Sequence, residues 1–214
     1  TIKEFIIEKI VFLSGIISII FVVLIFIFLF KEGVSFFKAV PLNEFLLEKH
    51  WYPISDPPKF GILPLILGSI LVTIGATVIS VPLSIASAFF IAEIASPKIK
   101  DFLKLGIELL AAIPSVVIGF IGMVTLVPLV KKLFNIPTGL TALSGSIMLA
   151  FMAMPTIVSI TEDAINAVPR QYKEGALALG ATRWQAMYRV TLIAGLPGII
   201  AASMLGIGRV IGET

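Results

Sequence analysis

Five long apolar runs, separated by charged or proline-rich connections, organise this sequence. The first covers about Ile10 to Phe30 and contains no charge. The second covers about Ile62 to Ala92, with Pro64 near its start and Pro82 inside. The third covers about Leu105 to Val130 with Pro114 and Pro128, and the fourth about Leu140 to Ile160 with Pro155. The fifth begins near Val190, carries Pro197 and continues to Thr214. A hydrocarbon core about 30 Å thick needs roughly 20 apolar residues of helix, so each run predicts a transmembrane span. Segments of strand-like alternation are missing, which leaves helices rather than a barrel. The expected fold is all-α, a polytopic transmembrane helical bundle.

The connections differ in character. Residues 31–61 form a long mixed loop with Trp51 and Tyr52, an aromatic pair suited to a membrane interface. Residues 96–104 read as a short basic turn, with Glu93 and Glu108 as solvated charges flanking it, and residues 131–139 as another short turn. Residues 161–189 are polar with a helical pattern of their own. Two regions are expected: 1–61, an N-terminal helix plus an extracytoplasmic loop, and 62–214, the helical core. An inside N-terminus puts nine loop lysines and arginines inside (Lys3, Lys9, Lys98, Lys100, Lys104, Arg170, Lys173, Arg183, Arg189). Six lie outside (Lys31, Lys38, Lys49, Lys59, Lys131, Lys132), so the positive-inside bias favours a cytoplasmic N-terminus.

Composition narrows the class further. Hydrophobic residues make up 58% and charged residues 14%, far from soluble proportions, and the mean hydropathy is +1.09. With no cysteine and one histidine, His50, disulfides, cysteine–zinc sites, thiol nucleophiles and histidine metal clusters are excluded. His50 reads as a loop residue. The net charge of +3 comes without a basic stripe carrying interleaved aromatics, so no nucleic-acid partner is expected. The mixed-charge lead Lys3, Glu4, Glu8, Lys9, with no cleavage signal after the first run, predicts a retained helix rather than a signal peptide. No Ser/His, Asp/Asp or metal-ligand constellation lies among the spans, so no enzyme and no cofactor is expected.

The segment 168–190 contains a second level of organisation. Pro169 is placed to open a helix, and Ala176 to Leu179 are good helix formers. Gly180 then supplies a left-handed stop. Thr182 and Gln185 have the spacing of a capping box, which starts another helix. On pattern alone, this helix–turn–helix either docks into a groove on a soluble partner or lies amphipathically on the lipid.

That segment resembles the EAA loop of ATP-binding-cassette importer permeases. Glu174, Ala176, Gly180 and Leu192 stand at the family spacing, while Gly175 replaces the central alanine, Val190 the usual isoleucine and Ile193 the usual proline. Further segments are similar to the phosphate branch of that family, PstC type more than PstA type. They are Phe60–Pro64, Gly68–Ser69, Val81–Leu83, Ala112–Gly119 (with Ser115), Ala167–Pro169 and Gly208–Thr214. The resemblance implies a type I importer permease fold and a multi-pass inner-membrane location. It implies a pore subunit without its own ATPase, since no Gly-x-x-x-x-Gly-Lys-Ser/Thr loop is present. It further implies a homologous PstA-type permease, two PstB-type ATPase subunits inside and a PstS-type phosphate-binding protein outside. The family fold has six spans, so a sixth is expected beyond Thr214 in a chain cut short. Glu174, Ala176 and Gly180 would form the ATPase-coupling loop.

Arg209 and Glu213 are four residues apart and share one helical face. A charge inside a span faces the bundle, a partner or a water-filled path. An arginine fork suits a tetrahedral oxyanion, and Glu213 would hold or release it. The alternative is a structural ion pair near the outer end of the helix. Arg209, Glu213 and Ser115 are the expected substrate path, by resemblance. Gly198, Ala202 and Gly206 are spaced for close helix packing or for a pore wall. Ser115 and Thr156 each follow a proline inside a run, where a hydroxyl can meet freed carbonyls or line the path. Two other functions stay open: a permease for another oxyanion or small solute, and an ion-coupled secondary transporter. The latter would show an internal repeat, and none is visible.

Overall fold

The computed structural model describes residues 2–214. Its contacts group into two units that meet within one helix: residues up to Ile66, and Leu67–Thr214. Five helices among the described residues are long and apolar enough to cross a membrane.

In the first unit, α1 (Ile2–Phe36) carries exposed apolar side chains from Phe5 to Phe30, as a lipid-facing helix does. An aromatic knot closes its C-terminal end. Phe36 meets Phe37, Phe45 and Phe60 edge-on, with ring centroids 5.3–5.6 Å apart. Phe45 belongs to α2 (Leu42–Leu47), and Phe60 to a small antiparallel ribbon of β1 (Trp51–Tyr52) and β2 (Lys59–Phe60). Trp51 stands opposite Phe60 in that ribbon. His50 is paired: its Nδ1 lies 2.7 Å from Glu48 Oε1, and this hydrogen bond holds the Glu48 carboxyl below its ordinary range.

Helix α3 (Leu63–Phe89) starts in the first unit and runs on into the second, where it ends in a π-helical turn, Phe90–Ile94. It keeps Pro82 within an unbroken helix. The third apolar run is different. It is not a single span over 105–130: α4 (Pro97–Ala112) begins earlier and stops at Ile113, whose backbone is extended (ψ 126°). Pro114 causes this, because a proline has no N–H for the helix and pushes its predecessor out of the helical region. Nor are residues 96–104 a turn. They form the start of α4, with Pro97 in its first turn. The spanning helix is instead Ser115–Phe134, built from α5 (Ser115–Ile121), a π-helical turn (Gly122–Leu126) and α6 (Val127–Phe134). Asn135 ends it in the left-handed conformation.

Helix α7 (Ala142–Asn166) is the most enclosed of the spans and starts on a Thr141 cap. A loop leads to α8 (Arg170–Ala178) and α9 (Arg183–Ala186), followed by a π-helical turn, Met187–Thr191, and a short α10 (Leu192–Ala194). The fifth run is therefore also interrupted. The chain turns at buried Gly195, and α11 (Leu196–Glu213) starts with Pro197 in its first turn.

Small residues make the core of the second unit. Ala76 of α3, Ala150, Ala153 and Ile157 of α7, and Ala202 and Val210 of α11 form one buried cluster. Ser146 donates to the Val72 carbonyl at 3.1 Å, tying α7 to α3. Helices α7 and α11 run antiparallel, since Gly198 lies against Ala164 while Gly206 lies against Ile157. At Gly206 a β-carbon would collide with the Ile157 side chain, so any larger residue would force that side chain to move. The spacing of Gly198, Ala202 and Gly206 thus serves helix packing.

Candidate functional site

Two groups of polar residues stand out in the second unit: one beside the α8–α9 segment, the other halfway along α7.

The first group gathers where α3 and α7 end and α4 begins. Glu162, one turn before the end of α7, is 2% exposed. Its carboxylate accepts from Lys100 Nζ at 3.0 Å and Lys104 Nζ at 3.1 Å, both on α4, and from Asn166 Nδ2 at 2.9 Å. Lys100 and Lys104 are four residues apart and so reach the same acceptor. The hydrogen bond to Glu162 raises the Lys104 ammonium above its ordinary range. A carboxylate this enclosed is tolerable only with such partners, because an unpaired buried charge is expensive. Eleven residues further on, Lys173 of α8 forms an ion pair with Glu93 in the π-helical turn after α3. The Phe89 and Trp184 rings meet edge-on, with centroids 6.4 Å apart. The α8–α9 segment is therefore fastened to the end of α3 through one ion pair and one aromatic contact. Glu93 is accordingly not a solvated boundary charge, since only 11% of its side chain is exposed.

The segment itself is built as its sequence predicts. Helix α8 follows Pro169, and Gly180 has a φ of +86°, a left-handed conformation that suits glycine. Thr182 Oγ1 accepts from the Gln185 backbone at 3.2 Å, and Gln185 Oε1 accepts from the Thr182 backbone at 2.9 Å, a complete capping box. Glu174 and Gly180 are exposed, and Ala176 is half-buried. Tyr172, Leu177, Leu179 and Trp184 are exposed alongside them.

The second group centres on Arg209, the only arginine within the five spans among the described residues. Its Nη1 donates to Thr156 Oγ1 at 3.1 Å, joining α11 to α7. Thr156 lies ten residues from the C-terminal end of α7 and fourteen from its start. At about 1.5 Å per residue these are distances of roughly 15 and 21 Å. The guanidinium thus meets α7 near the middle of that helix, although Arg209 itself stands four residues from the end of α11. Glu213 is exposed, and no ion pair joins it to Arg209 among the described residues. Ser115 is half-buried at the first position of α5, directly after the Pro114 break. Among the described residues no hydrogen bond connects it to Arg209, Thr156 or Glu213. The structure therefore brings together Arg209 and Thr156, and leaves Glu213 and Ser115 outside that contact.

Sequence reasoning missed Glu162, Lys100 and Lys104 as one cluster. The signal for it was an acid just past an apolar run and two lysines at helical spacing. No group of three or more His, Cys, Asp or Glu side chains fit to hold a metal occurs among the described residues.

The second unit is thus a bundle of long apolar helices with a helix–turn–helix fastened at one end. The chain belongs to the family of binding-protein-dependent transport system inner membrane components, whose pattern matches residues 80–214. It is similar to a probable ABC transporter permease protein, YqgH, of Bacillus subtilis: 44% identity over 193 residues, covering 89% of this chain and 62% of the relative. It is also similar to phosphate transport system permease proteins PstC. The Haemophilus influenzae protein is 32% identical, with 80% of this chain and 60% of the relative covered. The Xylella fastidiosa protein is 35% identical, with 86% and 59% covered. The chain spans about 60% of the length of these curated relatives. Among solved structures, the MetNI methionine ABC transporter in inward-facing conformations shares the fold. Its TM-score is 0.54 at 20% identity, over 71% of this chain and 68% of that one.

Proposed function

We propose that this chain is the PstC-type permease subunit of an ATP-driven importer and that its cargo is inorganic phosphate. The observation that carries the cargo is Arg209, held against the middle of α7 by Thr156. A cation within a span is costly unless it faces a polar path, and its planar fork matches a tetrahedral oxyanion. Relatives named as phosphate permeases support the same reading. Glu213 and Ser115 border the path in this proposal, with Glu213 able to take up the guanidinium once the anion has left.

Movement would be driven from α8 and α9. Glu174, Ala176 and Gly180 form the docking surface for an ATPase subunit at the cytoplasmic face, which sets the N-terminus inside. The working assembly is then this chain, a homologous permease, two ATPase subunits and an extracytoplasmic phosphate-binding protein. Hydrolysis belongs to the ATPase partners, and this chain supplies the path.

The test is phosphate uptake into vesicles containing the complete assembly, with parental chain or Arg209→Ala. ATP-dependent phosphate uptake that Arg209→Ala abolishes is the expected result. Uptake without ATP would remove the importer reading. Normal phosphate uptake by Arg209→Ala would remove the role of Arg209. Uptake of a different solute in preference to phosphate would keep the permease and change its cargo.

A further inference from the structure

We propose that Thr156 is a positioning residue for Arg209, aiming its guanidinium at a tetrahedral oxyanion in the path. This rests on the reading of Arg209 as the cargo-facing cation.

The guanidinium has five N–H donors in a rigid plane. The Nη1–Thr156 bond at 3.1 Å occupies one of them and tethers that edge of the plane to α7. The remaining donors are left for an anion, which needs two parallel N–H groups for a bidentate contact. A hydroxyl is a suitable anchor because it accepts the bond without cancelling the positive charge. A carboxylate anchor would cancel it. Glu213 shares the helical face but makes no such contact among the described residues, and Glu162 is committed to Lys100 and Lys104 at the end of α7. Packing on either side gives the bond its precision. Ile157, next to Thr156, is fully buried, and Gly206 is seated against it. Val210, next to Arg209, is 1% exposed. Neither backbone can shift without disturbing that contact, so the donor and acceptor meet at a fixed distance. Preorganised geometry of this kind spares the cost of orienting the group when the anion arrives.

Thr156→Val keeps the shape of the side chain and removes the acceptor. A hydrogen bond to a charged group is worth roughly a tenfold effect or more. Thr156→Val should lower ATP-driven phosphate uptake about tenfold, and Thr156→Ser should stay within about twofold of the parent. A second measurement separates positioning from packing. The thermal midpoint of the purified assembly is followed against inorganic phosphate concentration. Thr156→Val should need about tenfold more phosphate for the same shift, with an unchanged midpoint when phosphate is absent. A lowered phosphate-free midpoint with parental phosphate dependence would mean a structural role and overturn the proposal, as would parental uptake. Thr156→Ala is read in parallel, so a packing defect peculiar to valine does not decide the result. Arg209→Ala keeps the two levels distinct. If it transports normally, both the cargo role and the Thr156 proposal fall. If it loses phosphate uptake while Thr156→Val and Thr156→Ala do not, only the Thr156 proposal falls.

Discussion

Lys173 of α8 and Glu93 at the end of α3 are 80 residues apart in sequence and form an ion pair in the fold. The pair is partly enclosed, with 11% of the Glu93 side chain and 35% of the Lys173 side chain exposed. Its loss should fall between the ~0–1 kcal/mol of exposed pairs and the ~3–5 kcal/mol of buried ones. Glu93→Gln and Lys173→Gln should each loosen α8. In the proposed importer, ATP hydrolysis would then run faster than phosphate uptake. The charge-exchanged double variant Glu93→Lys with Lys173→Glu should recover part of the coupling. Vesicle assays of ATP consumed per phosphate moved check this, and full coupling in both single variants would count against the link.

Glu162 pairs with two lysines through its two carboxylate oxygens, so its removal leaves both with an acceptor missing. Glu162→Ala should destabilise the chain by about 1–3 kcal/mol, the range for losing hydrogen bonds to charged groups, because the lysines left behind are 29% and 42% exposed and can turn to water. Glu162→Gln keeps an acceptor oxygen and should cost less. Thermal inactivation of the protein in lipid nanodiscs measures both, and equal losses would show that the neutral acceptor contributes little and that the charge accounts for the effect.

Gly180 has open space around its α-carbon but a positive φ. A substitution there tests backbone conformation alone. Gly180→Ala should cost about 1–2 kcal/mol in the turn, and Gly180→Asn less, because asparagine tolerates the left-handed region. Under the proposed function Gly180→Ala should also lower uptake more than it lowers the amount of folded protein. Proteolysis of the 170–190 segment and uptake, measured together, distinguish the two effects.

Gly206 presses on Ile157. Gly206→Val should separate α7 from α11 and cost about 1–3 kcal/mol, as overpacking does. Ile157→Ala on that background should recover part of the loss by making room. Midpoints of thermal unfolding in detergent provide the comparison, and no recovery would place the strain elsewhere.

Local features were the ones legible in the sequence. Gly180, the Thr182–Gln185 box and the break after Pro169 act over three or four residues, so spacing alone reveals them. The apolar runs announced five spans. They did not announce where α4 ends, because Leu105–Leu110 is nearly as apolar as Ser115–Ile121, and Pro114 looks no different from Pro155. Pro155 stays inside α7 and is buried, whereas Pro114 is exposed and breaks the helix at Ile113, a contrast of surroundings that the sequence does not print. Pairings between distant segments were out of reach. The i,i+4 rule nominated Glu213 as the partner of Arg209, but the side chain finds Thr156, 53 residues away. An acid placed four residues after a base is also the weaker of the two orders on a helix.

The contact between α7 and α11 is built largely of alanine and glycine, interrupted by the Ile157 side chain seated against Gly206. Ile157 acts as a peg, and the Thr156–Arg209 bond beside it as an index mark. A slide of one rod along the other would have to lift the peg from its seat and break the bond in the same movement. An apolar and a polar pair, one residue apart on α7, thereby set the vernier of the two rods together.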